Sequence, residues 1–309
     1  MKHVLDVTSP YERAAPARME APAAPRAPAV GPARGVPMDG AVRLAFDARD
    51  GTTRLVDLHQ RAPLRALFPR AAHADEIEAV LTNVAGGLVG GDRLATEIAA
   101  ADGARALVTT QAAEKVYRSA GPEVAVDCAI AVSGGAALAW MPQPTILFDG
   151  AALRRRTRLE IEPGASLHAG EVLVLGRAGS GERLAAGRLA DAWEVRRAGR
   201  LIWADRIAVA DWPAVRDHPA CFAGAQASAL FVHAGGDAPA RIEEARAIIG
   251  DGADGAAGLL AGATVIDGLL IVRWLGRNAA ALLEAYTDFW RYYRGAGGTP
   301  GRIPAIWAI

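Results

Sequence analysis

The sequence predicts a mainly β protein (α+β), built of layered antiparallel sheets with a few helices, two of them in the C-terminal third. Three observations lead there. Short runs of alternating apolar and polar residues recur at roughly ten-residue spacing, punctuated by Gly, Asp and Pro. They are not separated by helical stretches, as β-α units would require. Helical periodicity emerges only in two late segments, 239–249 and 278–294.

Taken in order, the chain opens with a leader whose 14–37 stretch is mostly Ala, Pro, Arg and Gly. Its six prolines (Pro16, Pro22, Pro25, Pro28, Pro32 and Pro37) remove backbone donors and fix φ. Residues 1–38 are therefore expected to be disordered, and a proline-rich docking peptide is the alternative. Residues 39–309 are expected to form one β-rich domain. Within it, Ala41–Asp47 and residues 53–58 alternate like strands. Short strand-like runs follow at 77–84, 94–99, 104–110, 124–132 and 136–140. In residues 153–162, Leu153, Arg155, Thr157, Leu159 and Ile161 face one way, while Arg154, Arg156, Arg158, Glu160 and Glu162 face the other. The Arg run then reads as one solvated strand face, or as a basic docking surface.

The first helix spans Pro239 to Ile249, with Ile242, Ala245, Ile248 and Ile249 as its apolar stripe, Asp237 as N-cap and Gly250 as stop. The second spans 278–294, capped by Asn278 and ended by Gly295. Its aromatic residues Tyr286, Phe289, Trp290, Tyr292 and Tyr293 serve either as core or as a partner-binding face.

Composition narrows the function classes. The 309 residues, 51% hydrophobic, suffice for a substantial core. Lys and Arg (34) balance Asp and Glu (34), so no global field favours nucleic acid or an anionic membrane. Two cysteines, Cys128 and Cys221, fit a reducing cytoplasm rather than a disulfide framework. Neither a long apolar span nor a secretory signal is visible.

The stretch Leu81–Leu94 holds Gly86, Gly87, Gly90 and Gly91, closed by Asp92 and Arg93. A phosphate-binding loop would continue with Lys and Ser or Thr, and Asp92 would repel phosphate instead. Leu88 stands where a dinucleotide fingerprint needs its second glycine. These glycines therefore serve backbone geometry. No nucleophile elbow and no HExxH or CxxC zinc motif occurs. His168 lies three residues before Glu171 and His218 three before Cys221, and either pair could contribute to a borderline metal site. No nucleophile or base can be named.

Five segments carry a resemblance. They are Gly86–Asp92, Thr109–Arg118, Trp140–Asp149, Gly170–Arg183 and Ile303–Trp307. In this order and spacing they resemble the urease accessory protein D family, called H in some bacteria, over residues from about 40 to 309. Pro144 departs from the family, which often carries Glu there.

The resemblance implies a strand-rich, non-catalytic maturation factor. It implies binding to the urease structural subunits, assembly with accessory proteins F and G (the latter a GTPase), and passage of nickel toward the urease active site. It implies no tightly bound cofactor, only transient Ni2+, and neither nucleic acid nor membrane as partner. Gly86, Gly87, Gly90, Gly91, Arg93, Gln111, Lys115, Tyr117, Gln143, Phe148, Gly176, Arg177, Gly181 and Glu182 fall in the matched motifs, as structural or partner-contacting positions.

A transfer path needs weak, sequential ligands, because a closed or thiolate-rich site would trap the ion. Among the motif carboxylates Asp92, Glu114, Asp149, Glu171 and Glu182, the expected path residues are Asp92 and Glu171. The alternative for each is a turn cap or an ion pair with Arg93, Arg118 or Arg177. An adaptor with no metal path and a hydrolase on a β scaffold are the competing functions.

Overall fold

The computed structural model describes residues 36–69, 76–250, 258–295 and 299–307. The leader expected at 1–38 lies, up to residue 35, outside the described residues.

Two sheets stack face to face. The first has seven strands, in the spatial order β14 (Arg200–Val209), β13 (Arg188–Arg197), β11 (Ala152–Ile161), β8 (Val124–Val132), β5 (Arg93–Ala100), β1 (Asp39–Arg49) and β2 (Thr52–Arg61). The second runs β16 (Leu259–Ile266), β17 (Leu269–Gly276), β15 (Ala227–Ala234), β12 (Ser166–Leu175), β9 (Ala137–Met141), β6 (Arg105–Thr110), β4 (Ile77–Asn83) and β3 (Leu64–Leu67). Two short strands, β7 (Glu114–Val116) and β10 (Thr145–Leu147), pair with each other, and β10 pairs with β12.

The layered, mainly β expectation holds, but the pairing is mixed rather than purely antiparallel. From β4 to β13 the chain crosses from one sheet to the other with nearly every strand. Within that stretch, consecutive members of one sheet are separated by a strand of the other, and they run parallel: β5 with β8, β8 with β11, β11 with β13, and likewise β4, β6, β9 and β12; β1 also lies parallel to β5. Parallel neighbours need a crossover, and here the opposite sheet supplies it. Strand spacing along the sequence is the same for a meander and for such a coil, so periodicity does not separate them. Antiparallel pairs remain near the sheet margins, as in β1–β2, β13–β14 and β15–β17.

The main core fills the space between the sheets, with Leu44, Phe46, Ile98, Ile130, Leu159 and Val195 fully buried. A second core lies on the outer face of the second sheet. There α3 (Ala279–Tyr293) lays Tyr286, Phe289, Trp290 and Tyr293 over Phe231 and Trp274. Their rings meet edge-on, at 4.9 Å for Phe231–Phe289 and 5.0 Å for Phe231–Trp290. The aromatic cluster is thus core; only Tyr292 points out. Gly170 of β12 permits the close approach, since a Cβ there would strike the Tyr286 hydroxyl and the Leu230 carbonyl.

Asn278 caps α3 as expected, accepting from the N–H groups of Ala280 (2.9 Å) and Ala281 (3.2 Å). The helix expected from Pro239 begins as a 3-10 turn at Ala238–Arg241 and becomes α2 only at Ile242–Ile249. Asp237 makes no capping bond; its carboxylate faces His233 instead, 3.4 Å away. A five-residue helix, α1 (Trp212–Arg216), is too short to show a period in sequence; Asp211 caps it by accepting from Ala214 N–H. Among the described residues no helix is long and apolar enough to cross a membrane.

Candidate functional site

The sequence motifs converge on a cavity of about 200 Å³ between the sheets. Its mouth is formed by Asn83, Gly86, Gly87, Glu114, Lys115 and Gln143, of which Gly86 and Lys115 are exposed. The glycine loop is zipped onto β7: Leu88 N–H donates to the Lys115 carbonyl (2.7 Å), and Tyr117 N–H to the Leu88 carbonyl (2.9 Å). Gly86, Gly87, Gly91, Gly176 and Gly181 all have positive φ. At Gly87 a side chain would also collide with the Tyr117 ring, and at Gly90 with the Ser119 hydroxyl. The loop glycines thus serve backbone geometry.

Asp92 is buried beneath this loop, and both carboxylate oxygens are held by backbone. Oδ1 accepts from Met38 N–H and Oδ2 from Val89 N–H, each at 2.8 Å. This is the turn-capping alternative in atomic form. Glu114 stands at the mouth, where Asn83 Nδ2 donates to both its oxygens at 3.2 and 3.0 Å. Burial raises its carboxyl above the usual range, and the Asn83 bond offsets part of that.

The cavity floor carries an ionic trio from three strands. Arg155 of β11 grips Asp191 of β13 with two bonds, Nε to Oδ1 at 3.0 Å and Nη2 to Oδ2 at 2.6 Å. The same Nη2 reaches Glu171 Oε2 of β12 at 2.7 Å. All three side chains are at most 10% exposed. Burial pushes the Glu171 carboxyl up to about 8; Arg155 pulls it down, Asp191 pushes it up further, and the Trp193 indole N–H offsets a little. That N–H otherwise makes no full hydrogen bond. Cys128 lies alongside, its thiol pushed up to about 12 by burial, and Thr157 pairs with it in register.

Glu171 has a second aspect. It also lines a larger cavity of about 570 Å³ with Asp205, Cys221, Ser228, Leu260 and Arg273, on the side of β14, β15 and β17. Cys221 and Leu260 are exposed there, so this cavity reaches solvent. One carboxylate therefore stands in the wall common to two cavities that open at different places.

Strand alternation resolves the two spacings singled out in the sequence. His168 and Glu171, three apart on β12, point to opposite faces. His168 turns outward against His233 and Trp290, with ring centroids 4.4 and 6.3 Å away. His218 accepts from Ala220 N–H in a turn, and Cys221 is free and exposed. Among the described residues no group of three or more His, Cys, Asp or Glu is gathered for a metal.

The remaining motif residues form the rim and its braces. Arg177 lies over Phe148 (4.3 Å) and pairs with Glu182 at 2.6 Å; Tyr117 meets Phe148 edge-on at 4.8 Å. Glu182 Oε1 accepts from Asp149 N–H, and Asp149 pairs with Arg118 at 2.6 Å. Arg93 and Gln111 are exposed, and their backbone N–H groups bind the Met38 and Leu81 carbonyls. Gly176 lets its turn close against Glu182 and Leu184. Gln143 Nε2 reaches the Ile306 carbonyl at 3.3 Å. Trp307 Nε1 donates to Thr109 Oγ1 at 3.1 Å, so the last motif is locked onto two earlier ones.

Sequence reasoning missed Arg155 and Asp191 as members of the site. The signal was present: each is a charge at an inward position of an alternating strand, Arg155 between Leu153 and Thr157, Asp191 between Leu189 and Trp193.

Comparison with known proteins fits this convergence of motifs. The model of the family described as UreD urease accessory protein matches residues 38–308. A protein of Magnetococcus marinus named urease accessory protein UreD is 41% identical over 279 residues, 90% of this chain and 96% of its own length. Proteins of the same name from Xanthobacter autotrophicus and Azorhizobium caulinodans are 40% and 38% identical over 271 residues, 87% of this chain and 90% and 96% of theirs. The chain therefore belongs to the UreD family of urease accessory proteins.

Proposed function

We propose that this chain is a non-catalytic urease maturation factor of the cytoplasm. It binds the urease apoprotein together with accessory proteins F and G, and gives nickel a hydrated path toward the urease active site. The observation that carries the reading is the position of Glu171 in the wall between two solvent-reaching cavities, with family motifs gathered around the first of them. Nickel is cargo on this reading, not a resident ion.

The donors along the way suit cargo. Glu114 at the mouth, Gln143 and Thr157 along the wall, and Glu171 at the floor offer oxygen ligands one at a time. Single oxygens hold a borderline divalent cation weakly enough to release it. Asp92 takes part as a brace of the mouth, since its oxygens are already engaged by backbone N–H groups. The rim of Tyr117, Phe148 and Arg177 offers an amphipathic seat for a partner sealing onto the mouth. Energy input belongs to the partner GTPase, as the glycine loop here lacks the Lys and the Ser or Thr of a phosphate-binding loop.

The test is co-expression with urease structural subunits and the other accessory proteins at limiting nickel. Glu171→Ala is expected to reduce urease activation while leaving soluble yield and the pulled-down complex intact. Full activation by that variant would leave an adaptor without a metal path. Turnover of a substrate by the isolated chain would restore the hydrolase.

A further inference from the structure

The floor of the first cavity contains more than a ligand. Arg155 already occupies the place where a cation would pass, and its grip is unequal. Asp191 holds it through two bonds, the fork-to-carboxylate geometry that fixes a guanidinium most firmly. Glu171 holds it through one corner only, the same Nη2. The remaining nitrogen, Nη1, has a long 3.3 Å bond to Thr145 Oγ1. One cation faces two carboxyl groups, and the fork with Asp191 already balances its charge, so Glu171 is the carboxyl left over. The excess member is the residue standing between the two cavities.

Resting on the nickel-path reading above, we propose that Arg155 is the gate of that path: its guanidinium stands in for a cation at Glu171, and a divalent ion crosses by taking Glu171 from it while Asp191 retains the arginine. The exchange needs no large movement. Parting one ion-pair contact frees Glu171, whose proton leaves as the metal ion arrives, and the Asp191 fork keeps Arg155 charge-paired throughout. Trp193 Nε1, a buried donor without a full partner beside Glu171, can take a carboxylate oxygen that lets go of Arg155. The gate also discriminates. A monovalent ion brings no more charge than the guanidinium corner it must replace, whereas a divalent ion brings twice as much to the same carboxylate.

The decisive experiment is calorimetric titration of the full-length chain with nickel(II) and, separately, with potassium. The double variant Arg155→Gln/Asp191→Asn removes the gate as a neutral pair and leaves net charge unchanged, so a change in affinity cannot come from bulk electrostatics. Nickel is expected to bind roughly tenfold or more tightly than to wild type, the equivalent of one contact to a charged group no longer competing. Potassium is expected to bind neither protein. Adding Glu171→Gln to the double variant is expected to abolish the gain. Nickel affinity equal to that of wild type would overturn the gate, as would a gain that survives Glu171→Gln.

Should the double variant not fold, Arg155→Lys keeps the charge beside Asp191 but has no planar fork to hold Asp191 and touch Glu171 at once, and is expected to tighten nickel roughly two- to threefold, on the scale of a weak hydrogen bond. No change there overturns the proposal as well. The path reading fails separately: Glu171→Gln supporting full urease activation at limiting nickel would remove the path, whatever the titrations show.

Discussion

Strand β12 has two faces three residues apart, and different forces hold them. On the outer face, His168, Gly170 and Val172 lie under α3, where Phe231, Trp274, Tyr286, Phe289 and Trp290 exclude space down to the missing Cβ of Gly170. On the inner face, Glu171 borders cavities and shares an arginine with Asp191. Both faces are buried, so burial alone does not mark function. The outer face is tightly filled, and its polar atoms are mainly incidental to aromatic packing. The inner face keeps open volume beside one arginine shared by two carboxyl groups.

The comparison breaks most readily at its packed side. Trp290→Ala empties the centre of the outer layer and is expected to cost about 3–5 kcal/mol in urea unfolding. Loss of urease activation by this variant should track loss of folded protein. If Trp290→Ala were tolerated within about 1 kcal/mol, the outer layer would not be the stabilising one.

On the inner side, two carboxylates on one arginine are expected to behave unequally. Asp191→Asn takes the fork partner from a buried guanidinium and is expected to cost about 3–5 kcal/mol. Glu171→Gln, at a carboxyl already pushed up to about 8, replaces one neutral group with another near pH 7 and is expected to change unfolding stability by under about 1 kcal/mol. Equal losses would show that the trio is a single structural unit.

The two faces should also answer pH with opposite sign. His233 has its ring pushed down to about 4, by burial first and against the pull of Asp237. The unfolded chain then binds the extra proton between about pH 6.5 and 4, so stability is lost as pH falls through that window. Glu171 is raised above its ordinary 4.5, so the folded chain binds the extra proton, and stability is lost as pH rises from about 4.5 to 8. Each slope is at most about 1.4 kcal/mol per pH unit. Chemical unfolding of His233→Gln and Glu171→Gln across pH 4–8 is the check: the first should flatten the acid limb and the second the neutral one. A Glu171→Gln curve parallel to wild type above pH 5 would remove the inner-face assignment.

The smallest effect belongs to the rim. Arg177→Ala loses an exposed pair with Glu182 and the Phe148 stacking, expected to cost under about 1 kcal/mol of fold stability. Pull-down of the accessory complex from co-expressing cells, compared at low and high salt, tests whether the same change weakens partner binding.

Much of this was legible in the sequence, for identifiable reasons. Alternation located β1, β2, β4, β5, β6, β8, β9 and β11, and placed Arg155 on the inward side of its strand, because side-chain direction follows from a period of two; the three- and four-residue strands β3, β7 and β10 are too short to show it. Asn278 and the aromatic face of α3 were legible because a cap and an apolar stripe are local signals. Parallel pairing was not, since it depends on which sheet each strand joins. Nor was the second half of the Asp92 cap: its bond to Val89 is local, but its bond to Met38 reaches 54 residues away in sequence. The trio combines both problems. Its members sit at 155, 171 and 191, and only the crossing of the chain between sheets brings them to one point.

The Trp307–Thr109 bond has a consequence for synthesis. Its partners are 198 residues apart in sequence. At roughly 5–20 residues per second, Thr109 is synthesised about 10–40 s before Trp307. During that interval the outer surface of β6 and β9 is uncovered, and the nascent chain carries an apolar face with nothing to lie against it. The late-made C-terminal segment thus sets the moment at which this protein is finished.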